Sequence, residues 1–239
     1  MFLGGEGGGG SKAFVFSTLT CSLYHTPIPH FSSEKAAGRT VLVFASAKDT
    51  RYAPGGGAVV THTGASRATC ASGPTRAAAT AAAGGLAALA AADVLAIDEA
   101  QFFPDLVPFT TGAADVGGKT VIVAGLDGDF RRRPFGGVGA LLPHADSITK
   151  LAAACAHCGA PAHFSVRLAP GGGATPTPPG SPLKARSLEG PQVVVGGAER
   201  YAAVCRTHYN QATATTDGSP VVADAAASVW AVGLAPTAV

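Results

Sequence analysis

Short apolar runs separated by alanine- and glycine-rich stretches set the rhythm of this chain. Thr40 to Phe44, Val94 to Ile97 and Lys119 to Ala124 are β-branched or apolar throughout or nearly so. Runs of that kind, without polar alternation, predict strands buried on both faces of a parallel sheet. Between the first two lies Ala77 to Ala92, interrupted by Thr80, Gly84 and Gly85 and bounded by Arg76 and Asp93. This stretch reads as an alanine-rich helix of a soluble protein rather than a membrane span. A weaker, glycine-containing helical segment follows Pro108, and residues 139–154 predict a further helix. Strands alternating with helices give the α/β class.

The edges of the pattern differ. Residues 1–37 read as irregular, with glycines crowding positions 4–10 and Pro27 and Pro29 further on. Lys48 to Tyr52 is a polar loop continued by the Pro54 to Gly57 turn. Residues 169–191 are rich in Gly, Pro and Ser and read as a flexible insertion. Val193 to Val195 predicts a short strand closed by Gly196-Gly197, and the tail after Asn210 is expected to be disordered. The expected organisation is therefore an atypical segment 1–37, an α/β core 38–150, a small domain 151–210 and a tail 211–239.

Composition narrows the function. Hydrophobic residues make up 47% of the 239, charged residues 13%, and the net charge is +2. That balance gives no support for bulk nucleic-acid binding. The five cysteines are odd in number and two are spaced C-x-x-C, which favours metal binding in a reducing compartment over a disulfide framework. The N-terminus lacks the pattern of a secretory signal. It is poor in acids and carries Ser and Thr with few basic residues, which leaves cytoplasm and organelle as the alternatives.

Two constellations carry chemistry. Cys155-x-x-Cys158 followed by Cys205-x-x-His208 gives two knuckles and four donors, the pattern of a closed, structural Zn²⁺ site. Strand 94–97 ends in Asp98-Glu99, followed by the aromatic pair Phe102 and Phe103. Adjacent carboxylates there suit a Mg²⁺ ligand and a proton acceptor, and the aromatics suit a flat, base-like ligand. Phe130 to Phe135 places three arginines between two aromatics, suited either to phosphate or to solvent. Gly196-Gly197 before Glu199-Arg200-Tyr201 suggests a tight turn with backbone close to a ligand. His62 belongs to no motif and reads as structural.

In order along the chain, several segments resemble the signatures of thymidine kinases of the tetrameric, zinc-bearing class. These are Lys48 to Tyr52, Ile97 to Asp105, Leu126 to Phe130, Arg133 to Gly136 and Val195 to Tyr201, with the zinc knuckles in matching order. The resemblance implies a parallel sheet of P-loop kinase type with a small zinc-bound lasso domain. It implies transfer of the ATP γ-phosphate to the 5′-hydroxyl of thymidine with Mg²⁺, a homotetramer, and no nucleic-acid or membrane partner. Carried onto this chain, it makes Glu99 the general base. Asp49, Thr50, Arg51, Asp98 and Gln101 fall on the ATP and Mg²⁺ side. Phe102, Leu126, Phe130, Phe135, Ser165, Val194, Gly196 and Tyr201 fall around the nucleoside. Ser165 stands where the family usually has threonine, and keeps the hydroxyl.

One family element is missing from the sequence. A G-x-x-x-x-G-K-[ST] loop, whose N–H groups cradle phosphate, is expected near Leu23. Residues 17–29 contain neither glycine nor lysine. Gly10-Ser11-Lys12 and Gly118-Lys119-Thr120 have the wrong spacing and context. The expectation is that the family's first strand and helix are also absent or replaced. Either the start of the chain is a mispredicted or alternatively spliced product, or the protein binds nucleoside without transferring phosphate.

Overall fold

The computed structural model describes residues 13–17, 34, 36–44, 58–60, 66–68, 85–168, 188–194, 196 and 200–214. The predicted loop Lys48 to Tyr52, the Pro54 to Gly57 turn, His62, the first half of the Ala77 to Ala92 stretch and most of the 169–191 insertion lie outside them.

Five parallel strands form the sheet: β1 (Ala13–Ser17), β2 (Val41–Phe44), β5 (Val94–Ile97), β6 (Thr120–Gly125) and β7 (Ser147–Lys150). Their spatial order is β2-β5-β6-β1-β7, with parallel pairing throughout. A separate hairpin joins β3 (Ala58–Val60) to β4 (Ser66–Ala68). The apolar runs become strands because both sheet faces are covered. Phe44, Leu95, Ile97, Val121 and Val123 enter one cluster, and Val43, Val94, Ala96, Ile122 and Ala124 the other. Alternate side chains thus go to opposite faces, and the only polar side chain in β5 or β6 is Thr120, at the start of β6.

Helix α1 (Gly85–Ala91) leads into β5. Helix α2 (Leu106–Thr111) continues as a π-helical turn, Gly112–Val116, and ends at Gly117-Gly118, where Gly118 has φ +64. Phe103, Leu106, Ala114, Val138 and Leu141 close the first cluster over the sheet. The Gly118-Lys119-Thr120 segment does not cradle phosphate. Lys119 Nζ donates to the carbonyls of Ala90 and Ala92 at 3.0 and 2.6 Å, capping the end of α1.

Four expectations are corrected. Residues 1–37 are not wholly irregular: Ala13–Ser17 is a strand, and the first strand of the sheet is present. It lies between β6 and β7, where its apolar run Ala13-Phe14-Val15-Phe16 finds a partner on each edge. Residues 139–154 do not form one helix. A 3₁₀ segment, Gly139–His144, contains Pro143 and stops at Ala145 in extended conformation. Proline removes the N–H that a continuing helix needs, and Ser147–Lys150, with β-branched Ile148 and Thr149, pairs with β1 instead. Val193 and Val194 form no strand, since their neighbours are held by side chains rather than by a ladder. The chain after Asn210 remains ordered as far as Thr213, the end of α3 (Arg206–Thr213), because Tyr209 and Thr213 are buried.

The small domain has its own core of Cys155, Ala162, Val166, Leu168, Ala202, Val204 and Tyr209. It is built from β8 (Ala153–Ala154) paired with β9 (Pro161–Ala162), β10 (Phe164–Arg167) paired with β11 (Tyr201–Val204), and α3. Phe103, 2% exposed, is the fully buried aromatic of the layer that covers the sheet beside the acidic strand end. Truncating Phe103→Ala should cost about 3–5 kcal/mol, read as a lower urea midpoint with an unchanged slope. A loss below about 1 kcal/mol would mean that this layer is not closed.

Candidate functional site

Parallel sheets place their chemistry where strands end, because the loops leaving the carboxyl ends are free to vary. Here β5 ends at Ile97 and the chain turns sharply. The Asp98 N–H donates to Phe44 O at 2.8 Å, extending the pairing with β2 by one step. The Glu99 N–H donates to Asp98 Oδ1 at 2.9 Å. Glu99 itself adopts φ 51, ψ 42, the left-handed region. That conformation costs roughly 1–2 kcal/mol for a residue with a Cβ, and such outliers gather at working sites. Both carboxylates are 4% exposed.

Gln101 locks this turn. Its Nε2 donates to Glu99 Oε2 at 2.6 Å, and its Oε1 accepts the Leu126 N–H at 3.0 Å. The exits of β5 and β6 are thereby tied together, and the orientation of the Glu99 carboxylate is set by a neutral donor. Two glycines leave room for the arrangement. A Cβ on Gly136, which has φ +57, would stand 2.2 Å from Gln101 O. One on Gly125 would stand 2.9 Å from Val138 Cγ2 and 3.1 Å from Gln101 Oε1.

Of the predicted nucleoside residues, Phe102 and Phe135 meet edge to face, with centroids 5.6 Å apart. Leu126 sits one residue beyond β6, joined to Gln101 through its N–H. Phe103 corrects the idea of a paired aromatic wall, since it belongs to the core. Phe130, 3% exposed, lies in the 127–135 loop. Asp129 braces that loop: Oδ1 accepts the N–H groups of Arg131 and Arg133 at 2.8 and 2.9 Å. Ser165 lies on β10 opposite Ala203, and Tyr201 begins β11, its hydroxyl donating to Val194 O at 2.9 Å. Val194 and Gly196 flank a gap in the described residues, and Asp49, Thr50 and Arg51 lie outside them.

Two arginines of the triplet have partners outside this loop. Arg131 donates to Gly190 O. Arg132, at φ 62, stacks its guanidinium 4.3 Å from the Tyr209 ring centroid. Burial pushes the Tyr209 phenol above its usual range although Arg132 acts to lower it, and its O–H donates to Phe130 O at 2.9 Å. These arginines therefore join the core to the small domain. Motif reading gave no role to Asp129, although it lies in the Leu126 to Phe130 segment, and missed Arg167, Gln192 and Tyr209. The only signal for Arg167 was a charged residue at the end of an apolar strand.

The donor atoms of Cys155, Cys158, Cys205 and His208 all lie within 4.8 Å of one another. Cys158 Sγ to Cys205 Sγ is 3.9 Å, and His208 Nδ1 is 3.5 Å from Cys155 Sγ and 3.1 Å from Cys205 Sγ. Tetrahedral zinc with Zn–S near 2.3 Å requires S···S of about 3.8 Å, so the set fits Zn²⁺. The knuckle is shaped by Gly159, at φ 70, whose N–H donates to Cys155 O at 2.9 Å. Cys205 begins α3. Burial alone would push the Cys155 thiol up, but hydrogen bonds from the Cys205, His157 and Cys158 backbone hold it down at about 6, which favours the thiolate a metal needs. All four donors are used, so the site is structural in kind.

The family profile for thymidine kinase matches residues 25–209. "Thymidine kinase a" of Arabidopsis thaliana is 40% identical over 200 residues, covering 82% of this chain and 71% of that protein. The thymidine kinase of Oryza sativa subsp. japonica is 42% identical over 132 residues, 55% of this chain and 42% of that protein. The cytosolic thymidine kinase of Homo sapiens is 42% identical over 116 residues, 48% of this chain and 42% of that protein. The matched part of the chain thus spans less than half the length of the last two relatives.

Cys205→Ala removes one of four donors. Purified protein should lose its zinc, about one ion per chain by the donor set, and melt at a lower temperature. Full zinc content in the variant would show that the cluster is not the metal site.

Proposed function

We propose a phosphotransfer function from one premise: this chain belongs to the thymidine kinase family. The reaction is transfer of the γ-phosphate of ATP to the 5′-hydroxyl of thymidine. The observation that carries it is the locked acidic turn at the end of β5, with Glu99 oriented by Gln101 beside the Phe102–Phe135 aromatic pair.

Glu99 acts as the general base, taking the proton of the 5′-hydroxyl as the oxygen attacks. Its burial in a turn bound by a neutral donor supports that role, since a base is most useful when water is excluded and its direction is set. Gln101, taken from sequence as a residue of the ATP and Mg²⁺ side, fits better as the group that aims this carboxylate. Phe102, Leu126, Phe130 and Phe135 form the wall for the thymine ring, and Ser165, Val194, Gly196 and Tyr201 the cover. Positioning of this kind is most of what phosphoryl transfer asks of a protein. Mg²⁺, when bound, neutralises phosphate charge. Asp98 is the described residue suited to its environment, with Asp49, Thr50 and Arg51 assigned to the phosphates. We further propose a homotetramer acting in the cytoplasm or an organelle. Among the described residues, no helix is long and apolar enough to cross a membrane.

A second reading is favoured by one observation. β1 ends at Ser17, and the residues after it that would cradle phosphate contain no glycine or lysine as far as position 29. The donor side thus does not fit the phosphate loop of the family, and the chain then serves as a nucleoside-binding subunit.

One assay separates the two. With thymidine, ATP and Mg²⁺, the kinase reading expects turnover above background, falling about 10²–10⁴-fold in Glu99→Gln. Thymidine binding without any turnover would establish the second reading, and absence of both would sink the two together.

A further inference from the structure

Among the described residues one cation is buried. Arg167, 5% exposed, sits at the end of β10 opposite Tyr201. Its guanidinium carbon lies 3.7 Å from the Phe130 ring centroid and 5.6 Å from that of Tyr201. Nη2 donates to Pro191 O at 2.8 Å, to Gln192 O at 3.3 Å and to Tyr201 Oη at 3.3 Å. Nε is buried with no hydrogen-bond partner. A planar, weakly hydrated fork is the side chain suited to stacking on a ring and serving carbonyls in one plane, which a lysine does not do.

What Arg167 grips is a segment with no ladder of its own. Residues 190–194 form no strand, and side chains hold them instead. Arg131 reaches Gly190 O, and Tyr201 reaches Val194 O. Gln192 Nε2 reaches back to Asp129 Oδ2 at 3.0 Å and Pro134 O at 3.3 Å. Arg131 and Arg167 both touch the segment and the Phe130 ring, at 4.8 and 3.7 Å from its centroid; of the two, Arg167 is the buried one and the one that also meets Tyr201.

We propose that Arg167 is a positioning residue for the nucleoside pocket, latching the 190–194 segment and Tyr201 over Phe130. It contacts Phe130 and Tyr201 directly and reaches Val194 through the Tyr201 hydroxyl, so it sets wall and cover together. The assignment rests on the nucleoside-binding reading for its functional half only; the latch stands on geometry.

The test compares wild type with Arg167→Met, which keeps an unbranched apolar stem and loses charge and donors, and with Arg167→Lys. Zinc content reports that the small domain has formed. Amide hydrogen exchange across 190–194 reports the latch, and calorimetry with thymidine reports the pocket. Arg167→Met should keep its zinc, exchange faster at 190–194 with strands β5 and β6 unchanged, and bind thymidine about 10- to 100-fold more weakly, as expected for loss of charged hydrogen bonds. Arg167→Lys should resemble Met more than wild type, because the charge alone does not restore the fork. If Met fails to fold, the Lys variant carries the same measurements. Unchanged exchange at 190–194 overturns the latch. Faster exchange with unchanged thymidine affinity overturns its link to the pocket. Wild type that does not bind thymidine sinks the nucleoside reading and the pocket role with it, while exchange still decides the latch.

Discussion

The side-chain amide of Gln101 is held at both ends, and the acidic turn depends on that. The Leu126 N–H fixes which end is oxygen, so the other end must present N–H to Glu99. Glu99 is 4% exposed, and among the groups that face it Gln101 Nε2 supplies a short, directed contact to Oε2. The constraint spreads outward. Gly125 leaves space for the amide and Gly136 for the Gln101 backbone, and Val138 packs on the same ground. The left-handed backbone at Glu99 is tolerable because these neighbours over-determine it.

A second set of contacts joins the core to the small domain without a shared strand. The 127–135 loop offers Asp129 as an internal brace, Arg131 to the 190–194 segment, Arg132 to Tyr209, and the Phe130 ring to Arg167. Cation–ring contacts and side-chain to carbonyl bonds carry the junction. Both kinds are directional and individually modest. Among the described residues the small domain is therefore oriented by directional, individually modest contacts, while its internal shape is set by its own core and by the Cys155, Cys158, Cys205 and His208 cluster.

Much of this was legible in the chain. Val94 to Ile97 and Lys119 to Ala124 announced buried strands because short apolar and β-branched runs without polar alternation suit a sheet covered on both faces. The zinc donors were legible because ligand spacing is local. The strand Ala13–Ser17 was not: it follows a glycine-rich start, is brief, and exists through edges supplied by β6 and β7, far along the sequence. Residues 139–154 misled because Ala and Leu suggest helix, while Pro143 and the vacant edge of β1 decide otherwise. Arg167 carries no motif, and its meaning comes only from where Phe130 and Pro191 lie in space.

The place of β1 also bears on how the chain is made. Phe14 pairs with Ile122 on one side and Ser147 on the other. A ribosome adding about 5–20 residues per second would release those partners on the order of ten seconds after the strand itself. Until then Phe14, Val15 and Phe16 are an apolar segment with two open edges, the condition in which nascent chains invite wrong partners or a chaperone. Among the described strands β1 is the one whose pairing is completed last, so it is the part of the sheet whose folding waits longest on translation.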